Sequence, residues 1–531
     1  MDEAALLNVM LWLPVVGIAL IPVAVRLAPA RGGAVTRPLT LAVMLLQLLL
    51  AGWLAARFVV DIDGLQFATR IPWIAAWGVS YHVALDGFNV LLVLMTAFLG
   101  PLVVASAFRS IQKDVPLFYA MVLLVQFATM GTLLAQDLFV FYVFWEAMLI
   151  PMFLLIGIWG GERRIYATVK FLLYTAFGSI LMLAALIALV FTLSTTAGIT
   201  SFAFTDLYAT RLPLNLQLLL LSGFALSFAI KVPMVPFHTW LPDAHVEAPT
   251  AGSVLLAGVM LKMGTYGFMK LGFPLFPDAT QQLTPLLTTL AVIGIVYGAC
   301  LALVQQDIKK IIAYSSISHL GYVMLGLLSL DLIGIQGAII QMVSHGLVAG
   351  GLFLMVGMLY DRYQSRDLNV YGGLAKLLPV YAVGFLIFTL ASVGLPTTSG
   401  FTGEFMVLLG AFRAGWTQHV AGSSYALWLA AIAVLGVVLG ALYMLRLALH
   451  LLFGPVRVPN TDGGHGTVTV PVRDLDWAER SVLGALVLAV FALGLFPDRA
   501  LRMTEPAAKA YQALIQTSRL PLGDGLVGAV Q

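Results

Sequence analysis

Apolar runs long enough to cross a bilayer recur along this chain from residue 5 to residue 497, and they leave few folds open. A membrane-crossing helix needs ~20 largely apolar residues, and roughly fourteen such segments fit here. Every backbone N–H and C=O in hydrocarbon must be paired within the protein, so only helices and closed barrels cross. A barrel would show alternating segments of ~10 residues, and these are absent. With 61% hydrophobic and 10% charged residues, the composition excludes a soluble domain. The expected fold class is an all-α polytopic membrane protein.

The predicted spans are 5–25, 39–58, 87–107, 116–135, 138–159, 168–194, 216–235 (broken), 251–271, 284–304, 308–329, 334–360, 376–413 (broken), 425–453 and 479–497. The first follows Asp2 and Glu3 rather than a basic stretch, so it reads as a membrane helix and not a cleaved signal. The link 61–86 alternates and carries glycine, as a surface hairpin would. The link 455–477 reads as a polar loop, and 503–517 as a short surface helix. Alternate connections hold fifteen basic residues, including Arg31, Arg109, Arg163, Lys310, Arg366 and Arg473. The opposite set holds Arg57, Arg70, Arg211, Lys270 and Arg413, plus four in the tail. Basic connections stay in the cytoplasm, which predicts both termini outside and an even number of spans. Cys300 is the one cysteine, too few for a disulfide or a cysteine-ligated cluster.

Against this background the informative residues are ionisable ones near span centres. Lys231 ends the apolar run Leu216–Ile230, and Pro233 two residues later predicts a helix break at Val232. Broken helices beside a charge are how transporters build mid-membrane sites. The blander reading is a lysine snorkelling from a helix end. Glu146 has only Tyr142, Val143, Leu149 and Ile150 at helical spacing, so nothing local pairs with it. Lys262, His319, His345 and Glu404 complete the set, Glu404 lying just past Pro396 in the second broken span. A charge at bilayer depth costs ~3 kcal/mol or more, so such residues mark a function or an inter-helix ion pair. For His319 and His345 a neutral hydrogen bond between helices is the plainer alternative.

Glu146 and Lys231 are 85 residues apart, as are His319 and Glu404. The second pair begins five spans after the first, which inverts its direction across the membrane. That is the pattern of an inverted-topology repeat, although Lys262 has only Leu435 as its counterpart. Among lesser candidates, His238, Asp243, His245 and Glu247 match no zinc signature and read as a hydrogen-bonded cytoplasmic loop. Lys170 reads as interfacial. Arg446 reads either as interfacial or as an aid to proton exit.

The runs Phe144-Trp-Glu-Ala-Met-Leu-Ile-Pro-Met, Lys231-Val-Pro-Met-Val-Pro-Phe-His-Thr-Trp-Leu-Pro-Asp-Ala-His and Asp307-Ile-Lys-Lys-Ile-Ile-Ala-Tyr-Ser-Ser-Ile-Ser-His resemble the antiporter-like subunits of proton-pumping NADH:quinone oxidoreductase, complex I. Within that family the resemblance is to the subunit M branch, the counterpart of mitochondrial subunit 4. Glu404 supports this, because sister subunits L and N typically carry lysine there. Mrp-type antiporters and membrane-bound hydrogenases share the superfamily.

The resemblance implies about fourteen helices with breaks in the seventh and twelfth. It implies an N-terminal segment 1–115, inverted five-helix repeats at 116–271 and 284–453, and a C-terminal part 454–531. It implies a proton relay of Glu146, Lys231, Lys262, His319, His345 and Glu404, with His345 the least certain member. It also implies a bacterial inner-membrane setting and subunits L and N as neighbours. No cofactor or metal is expected in this chain. NADH, FMN, iron–sulfur clusters and quinone would belong to partner subunits, and nothing points to nucleic acid.

Burial favours neutral lysine and a nearby carboxylate favours the charged form. Lys231 is therefore expected to keep its proton beside Glu146 and to release it when the two separate. A proton-affinity change of about a thousandfold is worth ~4 kcal/mol, and so is moving one charge through roughly 180 mV. Two other classes remain open at this point: sodium transport at backbone carbonyls of the broken helices, and a scaffold whose buried ion pairs only join helices.

Overall fold

A computed structural model describes residues 3–28, 32–459 and 473–516. Asp2, Arg31, much of the 455–477 loop and everything from residue 517 lie outside the described residues. The helices run in order as α1 (Glu3–Leu27), α2 (Gly32–Arg57), α3 (Val90–Ser110), α4 (Val115–Leu134), α5 (Leu138–Trp159), α6 (Arg164–Ala197) and α7 (Leu214–Lys231). There follow α8 (Trp240–Glu247), α9 (Thr250–Leu275), α10 (Pro277–Val304), α11 (Ile308–Leu328), α12 (Leu332–Tyr363), α13 (Pro379–Val393) and α14 (Ser399–Val420). The last three are α15 (Tyr425–Leu452), α16 (Trp477–Leu495) and α17 (Asp498–Gln516).

Thirteen of these helices are long and apolar enough to cross a membrane. The fourteenth expected span is the broken pair α13–α14, whose first half has only 15 residues. The predicted hairpin is present as β1 (Gln66–Ile74) and β2 (Val79–Leu85), paired antiparallel. The predicted tail helix is α17, which begins five residues earlier than expected, at Asp498.

Aspartates start several spans. Asp137 accepts from Phe139 N at 3.0 Å, Asp307 from Lys310 N at 3.1 Å and Asp331 from Ile333 N at 3.0 Å. Each satisfies an N–H that the first helical turn would leave unpaired. In the seventh span the helix stops at Lys231 and resumes at Trp240, around Pro233 and Pro236. The His238–Glu247 stretch, expected as an irregular loop, is therefore mostly helix. Pro242 sits in the first turn of α8, where its missing N–H costs nothing.

Two chain crossings mirror one another. Leu138 N donates to Phe202 O at 2.8 Å and Phe204 N to Gln136 O at 3.0 Å. Five spans later, on the opposite face, Ile308 N donates to Arg366 O at 2.9 Å and Leu368 N to Gln306 O at 2.8 Å. The hairpin covers the first crossing through Gln136 N to His82 O, 2.8 Å, and Ser80 N to Asp137 Oδ2, 3.0 Å.

Helices α9 and α12 are buried along their whole apolar lengths, whereas α1, α6 and α15 expose most of theirs. The core therefore centres on α9 and α12, and polar groups on them never meet lipid.

Helix α16 opens with a reciprocal cap: Asp476 accepts from Glu479 N at 2.9 Å, and Glu479 Oε2 accepts from Asp476 N at 2.8 Å. Burial pushes the Asp476 carboxyl up, but the Glu479 N–H and the Arg109 guanidinium outweigh this and hold it below its ordinary value. A depressed carboxylate stabilises the fold above its unfolded pKa and loses that effect as acid protonates it. Asp476→Ala should cost ~1 kcal/mol at neutral pH. Thermal melting across pH should show the difference from the parent closing below pH ~4.

Candidate functional site

Four of the six residues singled out by sequence form one continuous row. Lys262 lies midway along α9, between π-type turns at Leu256–Met260 and Phe268–Gly272. Such turns break the regular i→i−4 ladder, and Ala257 O, inside the first, accepts from Lys262 Nζ. The same Nζ lies 2.7 Å from His345 Nδ1 on α12. The His345 and His319 rings are 5.6 Å apart between centroids. On α11, His319 Nδ1 lies 2.7 Å from Glu404 Oε1 of α14. Its Nε2 lies 3.3 Å from Ser392 Oγ near the end of α13.

All four residues are buried. Gln341 Nε2 donates to Glu404 Oε1 at 3.0 Å, and Ser344 Oγ donates to Ser399 Oγ at 2.8 Å. A narrow cavity of about 10 Å³ touches His319, Gln341, Ser344, His345 and Glu404. That is close to the space one water occupies. Gln341 Oε1 and His345 Nε2 have no hydrogen-bond partner among the described residues, so hydrogen-bonding capacity remains at the row for water to use.

The second helix break positions Glu404. Between α13 and α14 the backbone turns left-handed at Gly394, φ 82°, and at Thr397, φ 85°. A β-branched residue in that region is strained and persists only where surrounding structure imposes it. The half-helices then cross so closely that a Cβ on Gly400 would collide with Ala391 O. That approach sets Glu404 over the break.

The expected Glu146–Lys231 ion pair is not formed. Among the described residues no carboxylate lies within 4.0 Å of Lys231. Its ammonium sits instead 5.0 Å from the centre of the Trp145 ring. Glu146 Oε1 is buried and has no hydrogen-bond partner among the described residues. Trp145 precedes Glu146 on α5, and Lys231 has met the aromatic face rather than the acid. The equal 85-residue spacings thus end in one closed contact, His319–Glu404, and one open one. His345, the least certain member on sequence, is the link between Lys262 and His319.

The lesser candidates have partners of their own. Lys170, in the second turn of α6, pairs with Asp243 at 2.7 Å. Arg446 donates to the Leu303 and Gln305 carbonyls at the end of α10, which makes it a helix cap. His245 is fully buried and stacked on Phe353, with centroids 4.5 Å apart. Among the described residues no group of three acidic, histidine or cysteine residues could hold a metal ion.

Sequence reasoning missed Gln341 and Ser344, although Gln341 stands one helical turn before His345. It also missed the buried pair of Lys270 with Asp86, whose side chains are 8% and 7% exposed. Lys270 had read as one more basic residue in a connection, and its partner is 184 residues away.

Residues 135–430 match the family model described as NADH:quinone oxidoreductase/Mrp antiporter, TM. The chain is 39% identical over 526 residues, 98% of each chain, to NADH-quinone oxidoreductase subunit M of Rhodobacter capsulatus. The chain belongs to the NADH:quinone oxidoreductase/Mrp antiporter membrane family. Another member of this family, NADH-ubiquinone oxidoreductase chain 4 of Marchantia polymorpha, is 39% identical over 463 residues, 87% of this chain and 88% of its own. A chain of respiratory complex I from Thermus thermophilus superposes with a TM-score of 0.83 at 34% identity, covering 96% of this chain and 99% of its own. A chain of the Mrp complex from Dietzia shares the fold, with a TM-score of 0.80 at 23% identity over 97% of this chain and all but 1% of its own. The antiporter-family fold, with its many apolar helices, makes this a multi-pass membrane protein.

The two kinds of charged site should respond differently to mutation. Lys270→Met leaves Asp86 buried and unpaired, and should cost ~3–5 kcal/mol, much of it recovered in the Asp86→Asn/Lys270→Met double variant. Glu146→Gln breaks no ion pair and should cost under ~1 kcal/mol. Thermal melting of the purified assembly compares them directly.

Proposed function

We propose that this chain is the proton-translocating subunit M of an NADH:quinone oxidoreductase, a membrane subunit of translocase class without a redox centre of its own. The observation that carries this reading is the unbroken row Lys262–His345–His319–Glu404 across the centre of the molecule. Each neighbouring pair in it is in contact, or close enough for one water to bridge. A proton on the Lys262 ammonium passes along the hydrogen bond to His345. It then crosses to His319, with the adjoining slot offering room for a water, and reaches the Glu404 carboxylate. Ser392 and Gln341 hold the last two groups in line.

Glu146 and Lys231 form the input switch. With the pair open, Lys231 lies over the Trp145 ring, away from the Glu146 carboxylate. Closing the pair would favour the charged form. Redox energy arrives from partner subunits, which carry NADH, FMN, iron–sulfur clusters and quinone. Subunits L and N are the neighbours in the bacterial inner membrane. The termini lie on the periplasmic side, as the basic residues on alternate connections favour. The mirrored crossings at Asp137 and Asp307 support division into inverted five-helix units, 116–271 and 284–453.

Proton pumping by the assembled complex in proteoliposomes tests each part. His345→Phe should remove the middle link and lower pumping at least ~10-fold, an effect that mere neutral hydrogen bonding between helices would not give. Glu146→Ala and Lys231→Ala should each abolish most pumping. Glu404→Gln should impair it, while Glu404→Lys retains part. Near-normal pumping by fully assembled Glu146→Ala and Lys231→Ala variants would refute the switch, and the same result for His345→Phe would refute the row.

A further inference from the structure

The relay ends at Glu404, and the small cavity that touches this carboxylate shares no lining residue with the larger one beyond it. The larger cavity, of about 430 Å³, is lined by Thr284, Asp331, Ala411, Arg413, Tyr425 and Gln512 among others. It opens at the ends of α10, α11, α14 and α15, beside α17. This is the face opposite Asp307 and Lys310, and in the proposed orientation it is the outer face.

Glu404, Val407, Ala411 and Ala414 follow one another at helical spacing along a single side of α14. Ala411 and Ala414 already line the cavity. Seven residues of helix separate Glu404 from Ala411, a rise of ~10 Å. Asp331 lies alongside this segment, because a Cβ on Gly410 would stand 3.2 Å from its Oδ1. Asp331 in turn faces Arg413 Nε at 3.5 Å.

Between the carboxylate and the cavity stands Val407, 0% exposed. Glycines bring the facing helices against it. A Cβ on Gly326 would be 2.9 Å from Val407 Cγ2, and one on Gly337 would be 2.7 Å from Val407 N. The packing leaves no space for water beside this one side chain, whereas polar groups line both sides of it.

We propose that the cavity at Asp331 and Arg413 is the vestibule into which this chain releases protons, and that Val407 is the dry plug closing it from Glu404. The inference rests on the proposed role of Glu404. When α14 shifts enough to wet Val407, the Glu404 carboxylic acid gives its proton to vestibule water. It becomes a carboxylate, and His319 recharges it through their existing contact. While Val407 is dry, protons cannot run backwards from the vestibule into the row.

The test uses the whole complex in proteoliposomes, with passive proton leak measured without NADH under an imposed pH gradient. Val407→Thr keeps the side-chain shape and adds a hydroxyl on which water can bridge; Val407→Ala opens space. Both should raise the leak several-fold, and Glu404→Gln added to either should return it to the parental level. Parental leak in both single variants, with assembly intact on native gels, would overturn the plug. So would a raised leak that survives Glu404→Gln, because the protons would then bypass the row. Failure of the Glu404 role itself reads out separately, as normal NADH-driven pumping by the Glu404→Gln single variant.

Discussion

A polar group left unpaired in hydrocarbon costs several kcal/mol, and this structure is arranged around that cost. The row of Lys262, His345, His319 and Glu404 is carried by α9, α11 and α12, which neighbours enclose, and by the inward side of α14, on which Glu404 is buried. Two of them, α9 and α12, are enclosed along their full apolar lengths. Exposed helices such as α1, α6 and α15 serve as the wall. Within the row every member leans on another: the lysine on a freed carbonyl and a histidine, the second histidine on a serine and a carboxylate, the carboxylate on Gln341 as well.

Irregular backbone occurs where the polar groups need it. Helix α9 widens into π-type turns on both sides of Lys262, and the first of them supplies the carbonyl that the ammonium meets. The α13–α14 break bends through two left-handed residues and a glycine pressed against a carbonyl, and Glu404 lies over it. The α7–α8 break leaves Lys231 at a helix end, against an aromatic ring. Backbone groups at both proline breaks find partners within the protein: Met234 N donates to Ala229 O at 2.8 Å, Trp240 Nε1 to Ile230 O at 2.9 Å, and Leu395 N to Leu390 O at 2.9 Å.

Two charged pairs expected or found in the core illustrate different uses of charge. Lys270 and Asp86 are closed, buried and tied to the hairpin end of the molecule, which suits a fixed staple. Glu146 and Lys231 are both present yet apart, which suits a contact that is made and unmade. A buried pair that is always closed contributes rigidity and cannot act as a switch.

The sequence by itself determined the class of fold, the number and order of spans, both helix breaks, the hairpin and the six titratable residues. These follow from local physics: apolar length sets a span, proline sets a break, and a charge amid hydrocarbon stands out against its neighbours. It also paired His319 with Glu404, through a spacing that repeated. Only the tertiary structure decided which charges touch. It showed Lys231 turned onto Trp145, His345 joined to Lys262, Lys270 held by Asp86 from 184 residues away, and Val407 packed on α14 between Glu404 and the cavity at Asp331 and Arg413. Contacts between helices depend on rotation and approach set by glycine packing across the whole bundle, and no local stretch of residues encodes them.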